Sequence, residues 1–150
     1  MNKRGFLQKN WRQTDAERAR RSLAAWYNSH ARDLPWRLTP SLYGTWLSEI
    51  MLQQTRVDTG IPKWHLFQEL FPTVNDLAQA SEAEVMKAWE GLGYYRRARL
   101  LHKAAKVIAS QGRFPDNRQG WLALPGVGPY TSAAIASIGL GESVAAVDGN

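Results

Sequence analysis

Residues 124–131 read Leu-Pro-Gly-Val-Gly-Pro-Tyr-Thr, and this octapeptide restricts the chain more than any other stretch. Two glycines two apart permit a tight turn with positive φ and keep side chains away from the backbone amides. Pro129 suits the first turn of a helix, a position that needs no N–H. The unpaired amides at such a helix start form an anion site. A brief helix is expected before the turn, from Asn117 to Leu122, so the segment reads as a tight hairpin between two helices. The plain alternative is a helix–turn–helix corner that binds nothing.

Helical spacing with tight punctuation continues along the chain. Thr14-Asp-Ala-Glu17 is a capping box, and Leu23, Trp26, Tyr27 and His30 follow on one face until Leu34-Pro35-Trp36 ends the helix. A second helix is predicted from Tyr43 to Thr55 and a third from Ile61 to Phe71, stopped by Pro72. A short one is expected over Val74–Ala80. Ser81-Glu-Ala-Glu84 caps the next, which ends at Gly91. Tyr95 to Gln111 and Pro129 to Leu140 complete the set, the last ended by Gly139 or Gly141. No alternating run of useful length predicts a strand, so the expected class is all-α. At 150 residues a folded domain buries roughly 68–70% of its unfolded surface, which is enough for a core. The chain has no cysteine, which excludes disulfides, thiolate catalysis and cysteine-ligated metal within it. There is no apolar run of about 18 residues and no apolar signal core after Met1, so a soluble protein of a reducing compartment is expected.

Charge is uneven. Residues 1–37 hold nine Lys or Arg against three acids, whereas the remainder is balanced. Within that remainder Arg96, Arg97, Arg99, Lys103, Lys106 and Arg113 follow one another with no acid from Tyr94 to Pro115. Two basic stretches suggest a polyanion, although solvated faces alone produce such runs too. Most of the seven tryptophans are expected in the core. Glu49 lies among Trp46, Leu47, Ile50 and Leu52; buried there, its carboxyl is desolvated and its pKa rises, which suits a general acid. The competing reading is a glutamate on the solvent face of an amphipathic helix. Asp148-Gly149 by itself is a turn signal. His30, His65 and His102 share no metal-ligand spacing, and no metal site is expected within the chain.

Taken together, Trp46-Leu-Ser-Glu-Ile-Met-Leu-Gln-Gln-Thr-Arg-Val57, Gly91-Leu-Gly-Tyr-Tyr-Arg-Arg-Ala-Arg99, the hairpin and Val147-Asp-Gly-Asn150 closely resemble the N-terminal catalytic region of adenine DNA glycosylases of the MutY type. These belong to the helix–hairpin–helix base-excision superfamily that includes endonuclease III. The resemblance covers about Leu34 to Asn150. It implies a helix–hairpin–helix glycosylase fold with the six-helix-barrel region, cut before the iron–sulfur region. Residues 1–33 are then a basic segment and first helix, and 34–150 an incomplete catalytic region. Further sequence is expected beyond Asn150.

The resemblance also implies roles. Glu49 is the acid that protonates adenine at N7, and Asp148 stabilises the positive charge developing on the sugar. Paired carboxylates suit an oxocarbenium-like transition state. Tyr130 stands where the endonuclease III branch has a nucleophilic lysine. No Lys occurs in residues 107–150, so a monofunctional glycosylase is expected. Gln54 and Tyr94 wedge into the duplex as the base leaves its stack. Gln53-Gln54 separates the chain from the thymine-mismatch glycosylases, which carry Arg-Arg there. Trp36, Arg37 and Leu52 resemble adenine-pocket residues, Arg32 less so. Gly126, Val127 and Gly128 hold a DNA phosphate, with a monovalent cation on the hairpin carbonyls, and Arg96, Arg97 and Arg99 contact phosphate beside the wedge.

The implied partner is duplex DNA with adenine opposite 8-oxoguanine or guanine, bound by a cytoplasmic, nucleoid-associated monomer. A 4Fe-4S cluster is expected of a longer parent but not of these cysteine-free residues. The alternatives are a thymine or uracil mismatch glycosylase on the same scaffold and a non-catalytic DNA-binding module.

Overall fold

The computed structural model describes residues 13–148. Lys3, Arg4, Lys9 and Arg12 of the basic segment and Gly149-Asn150 of the last motif lie outside the described residues. Two compact units divide the chain, residues 1–33 and residues 34–150. In the first, helix α1 runs over Gln13–His30 and buries no side chain. It is already helical at Gln13, so Thr14 sits inside the first turn and is not its cap. Leu23, Trp26 and Tyr27, expected to form an apolar stripe, are exposed. Trp26 stacks on His30, and the His30 Nδ1 lies 2.9 Å from the Trp26 carbonyl oxygen.

The second unit is built from α2 (Pro35–Leu38), α3 (Leu42–Met51), α4 (Val57–Leu70), α5 (Val74–Gln79), α6 (Glu82–Trp89), α7 (Arg96–Gln111), α8 (Arg118–Leu122) and α9 (Pro129–Leu140). The described residues contain no strand, as the absence of alternation predicts. Ser81 and Glu84 form the predicted capping box reciprocally, and Thr73 and Asp76 form a second one ahead of α5. Gly112 and Gly141 take left-handed conformations and stop α7 and α9. Gly139, the other candidate stop, lies inside α9, where a Cβ would fall 2.6 Å from a Leu42 methyl.

Three boundaries differ from the sequence reading. The first helix ends at His30, and Leu34-Pro35-Trp36, expected to end it, instead starts α2 with a proline in its first turn, where no N–H is needed. Helix α4 begins at Val57 and runs through Pro62, although Gly60 and Pro62 are poor helix formers. Packing overrides propensity there, because Gly60 is buried with its missing side chain replaced by Leu52 at 2.9 Å. Helix α3 ends at Met51 rather than Thr55.

Helices α3 and α9 are central. Eight of the ten α3 residues are buried, leaving Leu42 and Glu49 as its only partly exposed positions. In α9, Thr131 to Ala136 are all buried, and its alanines let the two helices approach closely. Trp46, Trp89 and Trp121 are wholly enclosed. At about 25 cal/mol per Å² over roughly 150–250 Å², each such indole contributes on the order of 4–6 kcal/mol before entropy is counted. Trp46 meets Trp121 at 5.9 Å, and Trp89 meets Phe67 edge-on. This core fixes the ends of α3, α7 and α9 that carry the chemistry.

Candidate active site

Because its neighbours on α3 face inward, Glu49 is the polar break in an otherwise buried helix. It is half-buried. Burial raises its carboxyl above the usual glutamate range, and the Arg37 guanidinium pulls back in the other direction. Glu49 opens into a cleft of about 930 Å³ whose wall also includes Leu52, Gln53, Gln54, Tyr94, Tyr130 and Asp148. Tyr130, the second residue of α9, has its phenol pKa raised chiefly by the Glu49 charge, then by burial and by Asp148. The fold therefore brings together three groups that lie up to 99 positions apart in sequence.

The remaining expected residues divide. Leu52, Gln54 and Tyr94 line the cleft. Trp36 does not; it is half-buried and packs edge-on to Trp64 at 6.0 Å. Arg37 is exposed and also absent from the described lining, but it is near enough to Glu49 to act on its charge. Arg32 belongs to the other unit.

At the hairpin only Gly126 has positive φ, at 77°, and a Cβ there would fall 2.8 Å from Leu100 Cβ. Gly128 is extended and faces open space. The Val127 side chain is buried, and its amide donates to the Leu124 carbonyl at 3.2 Å. Val127 thus anchors the turn, and the amides facing outward for an anion are those around Gly128 and the start of α9. The carbonyls of Leu124 and Gly128 each accept one protein amide and keep a second lone pair, a donor set that fits a weakly held monovalent cation. A 4Fe-4S cluster does not fit, since there is no cysteine in the chain and no group of metal-ligating side chains among the described residues.

The expected phosphate-contacting arginines are not equivalent. Arg96 is exposed on the cleft, and Arg99 pairs with Glu82 at 3.1 Å. Arg97 turns inward. Its Nη1 donates to the carbonyls of Ile50 (3.0 Å), Met51 (2.9 Å) and Gln53, and its Nη2 to Thr55 Oγ1 (3.0 Å), Leu92 O (3.0 Å) and Gly93 O (3.2 Å). Arg97 is a half-buried fastener whose donors are taken up by the protein, so it is not the phosphate contact that the resemblance implies. The sequence held a signal for this: two arginines open a helix with no acid in its first turn, where the helix dipole disfavours cations. Gln53 was also underread. Its Nε2 donates to Thr131 Oγ1 at 3.1 Å and joins the end of α3 to the start of α9.

The chain is 38% identical over 97% of its length to the adenine DNA glycosylase of Arabidopsis thaliana, and 44% identical over 87% to that of Homo sapiens. It is 44% identical over 85% to that of Mycolicibacterium smegmatis. It spans only 28%, 26% and 45% of those curated relatives. A solved thermostable thymine-DNA glycosylase superposes with a TM-score of 0.78 at 31% identity, covering 89% of this chain and 65% of that one. An endonuclease III–DNA complex shares the fold, with a TM-score of 0.73 at 19% identity over 89% of this chain and 64% of that one. Residues 47–150 match the family described as HhH-GPD superfamily base excision DNA repair protein, and the chain belongs to that superfamily.

Proposed function

We propose that the chain is the catalytic part of a monofunctional glycosylase that hydrolyses the N-glycosidic bond of adenine mispaired with 8-oxoguanine or guanine. The carrying observation is the half-buried Glu49, its carboxyl held toward the neutral form, on one cleft with Tyr130 and Asp148. Glu49 protonates N7 of an extruded adenine. The C1′–N9 bond then breaks with its electron pair leaving on the purine, and Asp148 offsets the charge left on the sugar. Water adds to C1′, and its proton returns to the Glu49 carboxylate. The Tyr130 phenol pKa is raised by its surroundings, so it stays neutral and supplies a hydrogen bond, not a nucleophile. With no lysine after Lys106, a Schiff-base route has no amine in this part of the chain.

Gln54 and Tyr94, exposed on the cleft rim, fill the space that the extruded base leaves. Leu52 lines the base pocket, and Trp36 and Arg37 act from behind it. The amides around Gly128 hold a phosphate, and the hairpin carbonyls hold a monovalent cation. A monomer acting on DNA in the cytoplasm, with a 4Fe-4S cluster elsewhere in a longer parent, completes the reading. The adenine DNA glycosylase relatives support adenine as the base. The likeness to the thymine-DNA glycosylase supplies a second reading, in which thymine is excised.

The test is base release from duplexes with A:8-oxoguanine, A:G and G:T pairs, using the full encoded protein and its Glu49→Gln variant. Adenine release should fall by roughly 10²–10⁴-fold in the variant while duplex binding persists. Release of thymine in place of adenine selects the second reading. Unchanged adenine release by the variant overturns the acid role of Glu49.

A further inference from the structure

Among the described residues only two that are not glycine have positive φ, Gln54 at 57° and Tyr94 at 46°. Each stands at the tip of a short turn, one after α3 and the other before α7, and both face the same cleft. Left-handed backbone at such residues is strained and persists only where the surroundings over-determine it. Trp89 Nε1 donates to Gly93 O at 3.0 Å beside the second tip and Thr55 Oγ1 to Gln53 O beside the first, but one side chain bonds to both turns. The Arg97 guanidinium donates to Met51 O and Gln53 O and to Thr55 Oγ1 around the first tip, and to Leu92 O and Gly93 O beside the second. Its plane also lies over the rings of Trp89, at 5.2 Å, and Tyr94, at 5.7 Å. The cation caps the carbonyl end of α3, where the helix dipole favours it, and the core fixes Trp89.

We propose that Arg97 is a positioning residue that holds the Gln54 and Tyr94 turns at one fixed spacing, so that both enter the duplex together as the target base leaves it. This rests on the excision reading above. A planar fork is required, since no ammonium group reaches acceptors on both sides at once in fixed directions. Arg97→Lys keeps the charge and loses the fork. Thr55→Val removes one acceptor of the fork and leaves the arginine in place.

Two readouts test the proposal in the full encoded protein. One is single-turnover adenine release from a duplex with adenine opposite 8-oxoguanine, compared with a duplex whose adenine faces an abasic site and unstacks at less cost. The other is the fluorescence of 2-aminopurine at the target position under saturating protein, which rises on unstacking and needs no bond cleavage. Arg97→Lys should slow release from the paired substrate by roughly 10–100-fold, should slow the abasic-opposed substrate much less, and should lower the fluorescence rise. Thr55→Val should change all three in the same direction by less, and it carries the test if the lysine variant does not fold. An equal loss on both substrates, with unchanged fluorescence, makes Arg97 a stabilising residue only and overturns the proposal. If the unsubstituted protein unstacks 2-aminopurine but releases no adenine, the excision reading fails and the fluorescence of the variants still decides the role of Arg97.

Discussion

Under the proposed function Glu49 acts through a proton and Gly128 through an empty space. The Glu49 carboxyl has a raised pKa in the fold, against about 4.3 in an unfolded chain. Between those two values the folded state binds the extra proton, so stability falls as pH rises through that window and is level above it. A general acid must hold its proton, so the rate under kcat/KM conditions should also decline as pH rises past the raised value. Arg37 pulls that value down. Arg37→Gln should therefore move the alkaline limb of the excision profile to higher pH, and a limb that stays in place would mean that another group sets it. At the hairpin, an alanine at 126 has positive φ and meets Leu100, whereas one at 128 meets neither problem. Gly126→Ala should cost about 1–3 kcal/mol in denaturant unfolding. Gly128→Ala should leave stability unchanged and, under the proposed function, weaken duplex binding, because its methyl would stand where the phosphate is proposed to approach the amides.

The link between helices α3 and α9 runs through Gln53 and the nearly buried Thr131. Gln53→Leu leaves the Thr131 hydroxyl without that donor, a change worth about 1–3 kcal/mol when the group is buried. Thermal unfolding should show it as a loss of roughly 2–4 °C per kcal/mol, and an unchanged melting temperature would show that water replaces the amide. Most helices were legible beforehand because caps and stops are local: Ser81 with Glu84, Gly112, and the proline opening α9. The apolar neighbours of Glu49 allow a buried acid or a solvent-facing one, and Asp148 by itself reads as a turn, so the resemblance singles out both. What escaped was tertiary. The end of α3 at Met51 is set by an arginine 46 residues away, and the start of α4 by the close approach of Gly60 to Leu52. Neither appears in a helical pattern, and both shape the turn that presents Gln54.

Charge is distributed unevenly between the two units. Residues 34–150 contain eleven basic and ten acidic residues, whereas residues 1–33 contain eight and three. The cleft thus sits on a nearly neutral body, and the excess charge lies on a short segment whose described helix buries nothing. Under the proposed function such a segment adds duplex affinity through phosphate neutralisation, independent of sequence or lesion. Replacing Arg18, Arg20 and Arg21 with glutamine should then weaken lesion-bearing and undamaged duplexes by the same factor. It should also reduce the slope of log affinity against log salt by up to about 0.9 per lost phosphate contact. Single-turnover excision at saturating protein should not change, because the proposed catalytic groups all belong to residues 34–150. Duplex titrations from low to moderate salt, run beside the excision assay, check both halves. A change in lesion preference or in the saturated rate would place α1 inside the recognition machinery, and the division of labour between the two units would then be wrong.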